Sequence, residues 1–195
     1  MDYSIATTAA PTALVVTPAD IEAYARLVDV SAEMEHVKAL IDAATKQAER
    51  YTNRAFCTQT FRMSLDCFPS CNTIRLPRPP LQSVTHVKYY DTAGTLQTFS
   101  SAYYHVDIDA QPGRIALVEG QAWPATLGRP QAVQVTYVAG YGAGTAVPEN
   151  IRLAVKMLVK TWYDSPDMYN VGNIVNELPM AVKDLLGMEE MVTFA

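Results

Sequence analysis

Two periodicities of apolar residues alternate along the chain. Ile21, Tyr24, Ala25 and Val28 stand at i, i+3, i+4 and i+7, which predicts a helix with one buried stripe. Its start is marked by Thr17-Pro18-Ala19-Asp20: an N-cap hydroxyl, a proline at the first helical position and an acid at the third. A second helix is predicted from Ser31 over about twenty residues. Glu33 and Glu35 lie in its first turn and Lys46, Arg50 and Arg54 towards its end, the polarity that a helix dipole favours. Met34, Val37, Ile41, Ala44, Ala48 and Tyr51 follow at intervals of 3, 4, 3, 4 and 3, a seam that requires another helix against it.

From about Thr58 the period becomes two. Phe61, Met63 and Leu65 alternate with Thr60, Arg62 and Ser64, as in a strand with one buried face. Further strands are expected at 73–76, 83–90, 96–99, 103–107, 114–118 and 132–138. They are separated by turn signals at Pro79-Pro80, Asp91-Thr92-Ala93-Gly94, Gln111-Pro112-Gly113 and Trp123-Pro124. After Pro148 the helical period returns. Ile151, Val155, Leu158, Val159 and Trp162 share a stripe, which closes against the second helix. Residues 164–177 show no period and read as a long loop. A short helix is expected from Pro179, with Val182, Leu185 and Leu186 as its apolar face and Gly187 as its stop. The first sixteen residues, small and rich in Thr and Ala, read as an arm that is mobile unless a neighbour holds it.

The pattern therefore predicts an α+β fold: a small helical bundle interrupted by an antiparallel β insertion, sandwich-like or barrel-like, with a short C-terminal helix and tail. The expected divisions are an arm at 1–16, a helical domain from 17–56 and 145–164, a β insertion at 57–144, and loop, helix and tail at 165–195. There is no internal repeat.

Composition narrows the function classes. The chain has 195 residues, 49% of them hydrophobic, enough for a real core. Its apolar runs fall short of the ~18 residues a membrane span requires, so no membrane contact is expected. Residues 1–10 have neither a basic region nor a continuous apolar one, and they do not read as a signal peptide. A reducing compartment is the expectation. The three cysteines, Cys57, Cys67 and Cys71, are an odd number in a chain too large to need staples, so free thiols are predicted. A net charge of -5 argues against tight binding to phosphate backbones, which needs clustered Lys and Arg. It leaves room for a channel through which DNA slides.

Constellations that could carry chemistry are few. Gly140-Tyr141-Gly142-Ala143-Gly144 stands between a strand and a helix, where a nucleotide loop would stand. A dinucleotide fingerprint needs its third glycine where Thr145 is found. Gly140, Gly142 and Gly144 therefore read as a flexible hinge. His105, Asp107 and Asp109 would share one face of an extended strand, a possible metal or acid-base group, but no second ligand pair accompanies them. Cys67 and Cys71 likewise lack a second half-site. No nucleophile elbow occurs, and His36 and His86 have no nucleophile beside them in sequence. No catalytic, cofactor-binding or metal-ligating residue is assigned, and the chain reads as a structural protein rather than an enzyme. Met188, Met191 and Phe194 stand apart, an apolar tail suited to docking.

Several ordered segments resemble the phage head-tail connector, or adaptor, family, in the subgroup with a β domain inserted in the helical fold. They are Val37-Lys38-Ala39-Leu40-Ile41-Asp42-Ala43-Ala44 running to Glu49-Arg50-Tyr51-Thr52-Asn53-Arg54, then Leu76-Pro77-Arg78-Pro79-Pro80-Leu81-Gln82-Ser83-Val84 and Tyr89-Tyr90-Asp91-Thr92-Ala93-Gly94. Tyr104-His105-Val106-Asp107, Trp123-Pro124, Val135 to Gly142, Val147-Pro148-Glu149-Asn150-Ile151 and Trp162-Tyr163 follow. Each is turn or core chemistry; their order and spacing carry the likeness, which covers most of residues 31–163.

The resemblance implies a ring of about a dozen copies under a portal protein, joined to a stopper or tail terminator, with DNA passing through its centre without sequence-specific contact. It implies a place at the head-tail junction of a virion or gene transfer agent, after synthesis in a bacterial cytoplasm. It also implies that the C-terminal segment reaches the portal. That assigns Leu178, Pro179, Val182, Leu185, Leu186, Met188, Met191 and Phe194 to portal contact. Tyr163 is followed by Asp164-Ser165-Pro166, where relatives often carry a Glu- and Arg-rich turn, so contacts of 164–177 are not carried over. The competing reading is a β-sandwich binding module of a tail component, for receptor or carbohydrate, with Tyr89, Tyr103 or Trp123 exposed on a sheet face.

Overall fold

The computed structural model describes residues 3–26, 33–164 and 178–190. They form an α+β fold in two compact units, one from residues 1–12 and 58–141, the other from 13–57 and 142–195.

The first unit is all β. Its larger sheet is antiparallel, in the order β1 (Tyr3–Ala9), β2 (Gln59–Leu65), β8 (Val133–Ala139), β4 (Leu81–Tyr90) and β5 (Leu96–Phe99). The central strand explains the sheet. In β8, Val133, Val135, Tyr137 and Ala139 are all buried while the residues between them are half-buried, the alternation that a sheet with one core face demands. They stand opposite Leu65, Met63, Phe61 and Gln59 of β2. On its other side β8 pairs with β4, whose register shifts between Leu81 and Ser83 and again between Val84 and His86.

A second sheet has the order β3 (Thr73–Arg75), β7 (Arg114–Leu117), β6 (Tyr104–Asp107), with Ile74 opposite Ile115 and Ile115 opposite Val106. Gly113, just before β7, leaves room for the Leu81 side chain, which an added Cβ would strike. Both sheets are open, so the insertion is not a barrel. The strands begin and end within two residues of the expected positions.

Residues 3–9 correct the expectation of an arm. They form β1, paired to β2 from Tyr3 opposite Leu65 to Ala9 opposite Thr60. Backbone hydrogen bonds hold this strand, and they leave no trace in a hydrophobic pattern. Residues 13–16 of the supposed arm belong to the helical unit, where Val15 and Val16 are buried.

The second unit is a bundle of α1 (Pro18–Ala25), α2 (Met34–Thr52), α3 (Glu149–Asp164) and α4 (Met180–Gly187). At the start of α1 the capping box is complete. Thr17 Oγ1 accepts from the Asp20 amide at 3.2 Å, and the Asp20 carboxylate accepts from the Thr17 amide at 2.8 Å. Of the stripe predicted for this helix, Ile21 is buried but Tyr24 is exposed; Val28 lies outside the described residues. A helix of two turns buries one position well.

Thr17→Ala is expected to cost about 1 kcal/mol in urea denaturation. The pH dependence follows from Asp20, whose carboxyl is held below its ordinary value of 3.8 by the Thr17 backbone hydrogen bond and then the Thr17 side chain. A depressed folded pKa gives stability that is complete above the unfolded value and lost as pH falls through the folded one. Wild type should therefore lose stability below about pH 4 by a component that is missing in Asp20→Asn.

Along α2, Val37, Ile41, Ala44 and Ala48 are fully buried, flanked by half-buried Met34 and Tyr51. They meet α3, where Ile151, Ala154, Val155, Leu158 and Val159 are buried and Trp162 is half-buried. The small residues of α2 permit close approach. Tyr163, at the far end of α3, donates its hydroxyl to the Glu33 carboxylate at 2.7 Å. Residues 165–177, expected to be a loop, lie outside the described residues.

Candidate functional site

Residues 178–190 divide into two faces. Leu178, Val182 and Leu186 are buried, and α4 packs against both α3 and α2. These three, which the resemblance assigns to portal contact, have their apolar stripe buried in the bundle's own core. Pro179 and Leu185 are half-buried. The outward face carries Met180 and Met188, 80% and 74% exposed. No other large hydrophobic among the described residues exceeds 48%, and thioether side chains suit adaptable contact. Met180 was missed in the sequence; its spacing of eight from Met188, two helical turns, could have found it. Met191 and Phe194 lie outside the described residues.

A polar latch fixes the end of α4. Arg54 is 7% exposed; its Nε donates to the Glu189 carbonyl oxygen at 2.5 Å, and its guanidinium lies 3.8 Å from the Glu189 carboxylate. Asn150 donates from Nδ2 to the Leu185 carbonyl and to Glu189 Oε1, both at 3.4 Å. A cation and an amide thus satisfy carbonyls left over at a helix C-terminus, where the dipole favours positive charge. Met188 is presented next to this anchored point.

The glycine run offers no phosphate cradle. The Gly140 amide already donates to the Pro80 carbonyl at 2.9 Å, and its own carbonyl accepts from Gln82 Nε2 at 2.6 Å. Gly140 and Gly142 both have φ of +124°, a conformation L side chains rarely adopt. Gly144 differs from the hinge expectation: no positive φ requires glycine there. An added Cβ would collide with the Leu14 carbonyl oxygen, so the residue serves close backbone approach.

The supposed acidic face also dissolves. β6 ends at Asp107, whose Oδ2 accepts from Arg114 Nε at 2.8 Å, so Asp109 does not continue the strand. The Arg114 hydrogen bond, then that from the Ala110 amide, holds the Asp107 carboxyl below its ordinary value. This is an ion pair across a turn. Among the described residues no group of three His, Cys, Asp or Glu side chains could hold a metal ion. The three thiols are free; Cys67 and Cys71 are exposed, while burial, and then the charge of Glu49, pushes the Cys57 thiol up to about 11. Cys57 is correspondingly inert.

The aromatic side chains of the β unit spend their faces on one another. Trp123 stacks on Phe68 at 4.8 Å with planes 6° apart, and its Nε1 donates to the Cys71 carbonyl at 3.0 Å. Tyr89 packs on Phe68, and Tyr103 on Phe99. Trp123 and Tyr89 are half-buried in this cluster rather than displayed; Tyr103 is 44% exposed. No helix among the described residues is long and apolar enough to cross a membrane.

No curated protein sequence matches the chain. Solved structures do. A chain from the neck of an empty gene transfer agent particle computed with C6 symmetry is 22% identical, with a TM-score of 0.80, covering 98% of this chain and 97% of that one. A chain from the virion of a native gene transfer agent particle is 20% identical, with a TM-score of 0.79 over 98% and 97%. A third, from the neck of a native particle computed with C12 symmetry, is 24% identical, with a TM-score of 0.71 over 100% and 98%. These likenesses establish the fold. The model of the head completion protein family matches residues 14–172, which take in α1, α2, α3 and all of the β insertion beyond β1. That match, over well more than half of the chain, identifies the chain as a member of the head completion protein family.

Proposed function

We propose that this protein is a structural, non-enzymatic head-tail adaptor of a virion or gene transfer agent. About a dozen copies form a ring between the portal and a stopper or tail terminator, and DNA passes through the ring without sequence-specific contact. The observation that carries the reading is the head completion family match over residues 14–172. Two similar folds come from necks computed with C6 and C12 symmetry, and twelve copies satisfy both. A net charge of -5 suits a wall past which a polyanion slides.

Portal contact is assigned to Met180 and Met188 on the outward face of α4, with half-buried Pro179 and Leu185 and, by sequence, Met191 and Phe194. Exposed apolar side chains at two-turn spacing fit a helix laid into an apolar groove. Deleting 178–195 would test this poorly, because it would also strip Leu178, Val182 and Leu186 from the bundle core. Met180→Glu combined with Met188→Glu leaves that core alone. The double variant should melt as wild type does yet bind purified portal at least tenfold more weakly. Undiminished binding would remove α4 from the contact. Electron microscopy of wild type mixed with portal should show the ring; its absence would overturn the adaptor reading.

A further inference from the structure

Among the described residues, β1 is the strand that buries no side chain. Ile5 is half-buried, Tyr3 is 46% exposed, and the other five residues are exposed. The ladder to β2 holds it on one side; on the other no strand among the described residues pairs with it, so its backbone is an open edge there. Natural sheets protect such edges by keeping them short or charging them. The other three edge strands comply: β3 has three residues, β5 has four, and β6 has four and carries His105 and Asp107. β1 has seven residues, no charge and no proline.

The charge pattern says what covers it. Residues 3–19 contain no Asp, Glu, Lys, Arg or His, in a chain whose net charge is -5. Copies of an acidic chain repel, and they meet at least cost where their surface carries no charge. We propose that β1 is an interface strand, covered in the assembled ring by a second copy of this chain. The inference rests on the ring reading above. Because a ring needs head-to-tail contacts, the covering surface is not the neighbour's own β1, whose two-fold pairing would stop at a dimer.

The test uses the full chain assembled with its portal. Ser4→Glu with Ala6→Glu places two carboxylates on one face of β1, with position 6 opposite Arg62, so the unassembled variant should keep the wild-type melting temperature. Its incorporation into necks should fall at least tenfold; incorporation at the wild-type level would overturn the proposal. A benzophenone on Ala6→Cys, in a background of Cys67→Ser and Cys71→Ser, identifies the neighbour. Irradiated necks should yield a product of twice the chain mass. Cross-linking to the portal or a tail protein, or none at all, would sink the assignment. Microscopy of the same necks separates the two failures: a ring without self-cross-links removes only the role of β1, whereas no ring removes the adaptor reading and this inference with it.

Discussion

Arg54→Ala is expected to destabilise the helical unit by about 3 kcal/mol, in line with breaking a buried ion pair by deleting one partner, and to loosen α4 before the rest of the bundle. The side chain is 7% exposed and faces both the carbonyl and the carboxylate of Glu189. Its loss removes the cation from two half-buried acceptors at once. Glu189→Gln keeps the backbone acceptor and should cost about 1 kcal/mol, the ordinary worth of one weakened hydrogen bond. Trypsin offers a local readout, since Lys183 lies within α4. Cleavage there should quicken in Arg54→Ala while the melting of the β unit is unchanged. Equal cleavage in variant and wild type would mean that Val182 and Leu186 hold the helix by apolar contact alone. Portal binding should weaken in step with the cleavage rate, because a loosened α4 no longer presents Met180 and Met188 in a fixed direction.

What could be read from the sequence is what repeats locally. The spacing of Val37, Ile41, Ala44 and Ala48 predicts a buried seam because 3.6 residues complete a helical turn, and those four residues are fully buried. A strand is expected at 132–138 for the same kind of reason, and Val133, Val135 and Tyr137 within it are buried. What could not be read depends on partners far away in the chain. β1 is defined by backbone pairing with residues some sixty positions on, and its Thr- and Ala-rich sequence has no alternation to betray it. Arg54 meets Glu189 at a separation of 135 residues, and no local rule joins them. An apolar helix stripe is also ambiguous by itself. The resemblance assigns Leu178, Val182 and Leu186 to portal contact, and their burial within their own bundle is physically the same demand met by a nearer surface. The exposed methionines are informative only once that stripe has been accounted for.

Tyr137 is the position where the β unit should be most sensitive, and two substitutions separate its contributions. The side chain is fully buried in the central strand, its ring lies 5.7 Å from that of Phe61, and its hydroxyl donates to the Pro77 carbonyl at 2.8 Å. Tyr137→Ala removes the ring and leaves a cavity that β8, paired on both sides, cannot collapse to fill. A loss of about 4 kcal/mol is expected, as for other large aromatic truncations. Tyr137→Phe keeps the ring and deletes only the hydroxyl, so it reads the hydrogen bond with its unpaired carbonyl, about 1 to 2 kcal/mol. Burial raises the phenol's pKa far above its ordinary value, so the hydroxyl stays protonated and the Phe effect should not vary between pH 6 and 9. Denaturation curves for both variants check this. If Tyr137→Phe costs as much as Tyr137→Ala, the bond to Pro77, and hence the path of the chain from β3 into β4, is what the strand depends on rather than ring packing. The Ala variant bears on assembly as well: β1 is held to β2, and β2 to β8, so loosening β8 should speed amide exchange in residues 3–9, two strands away.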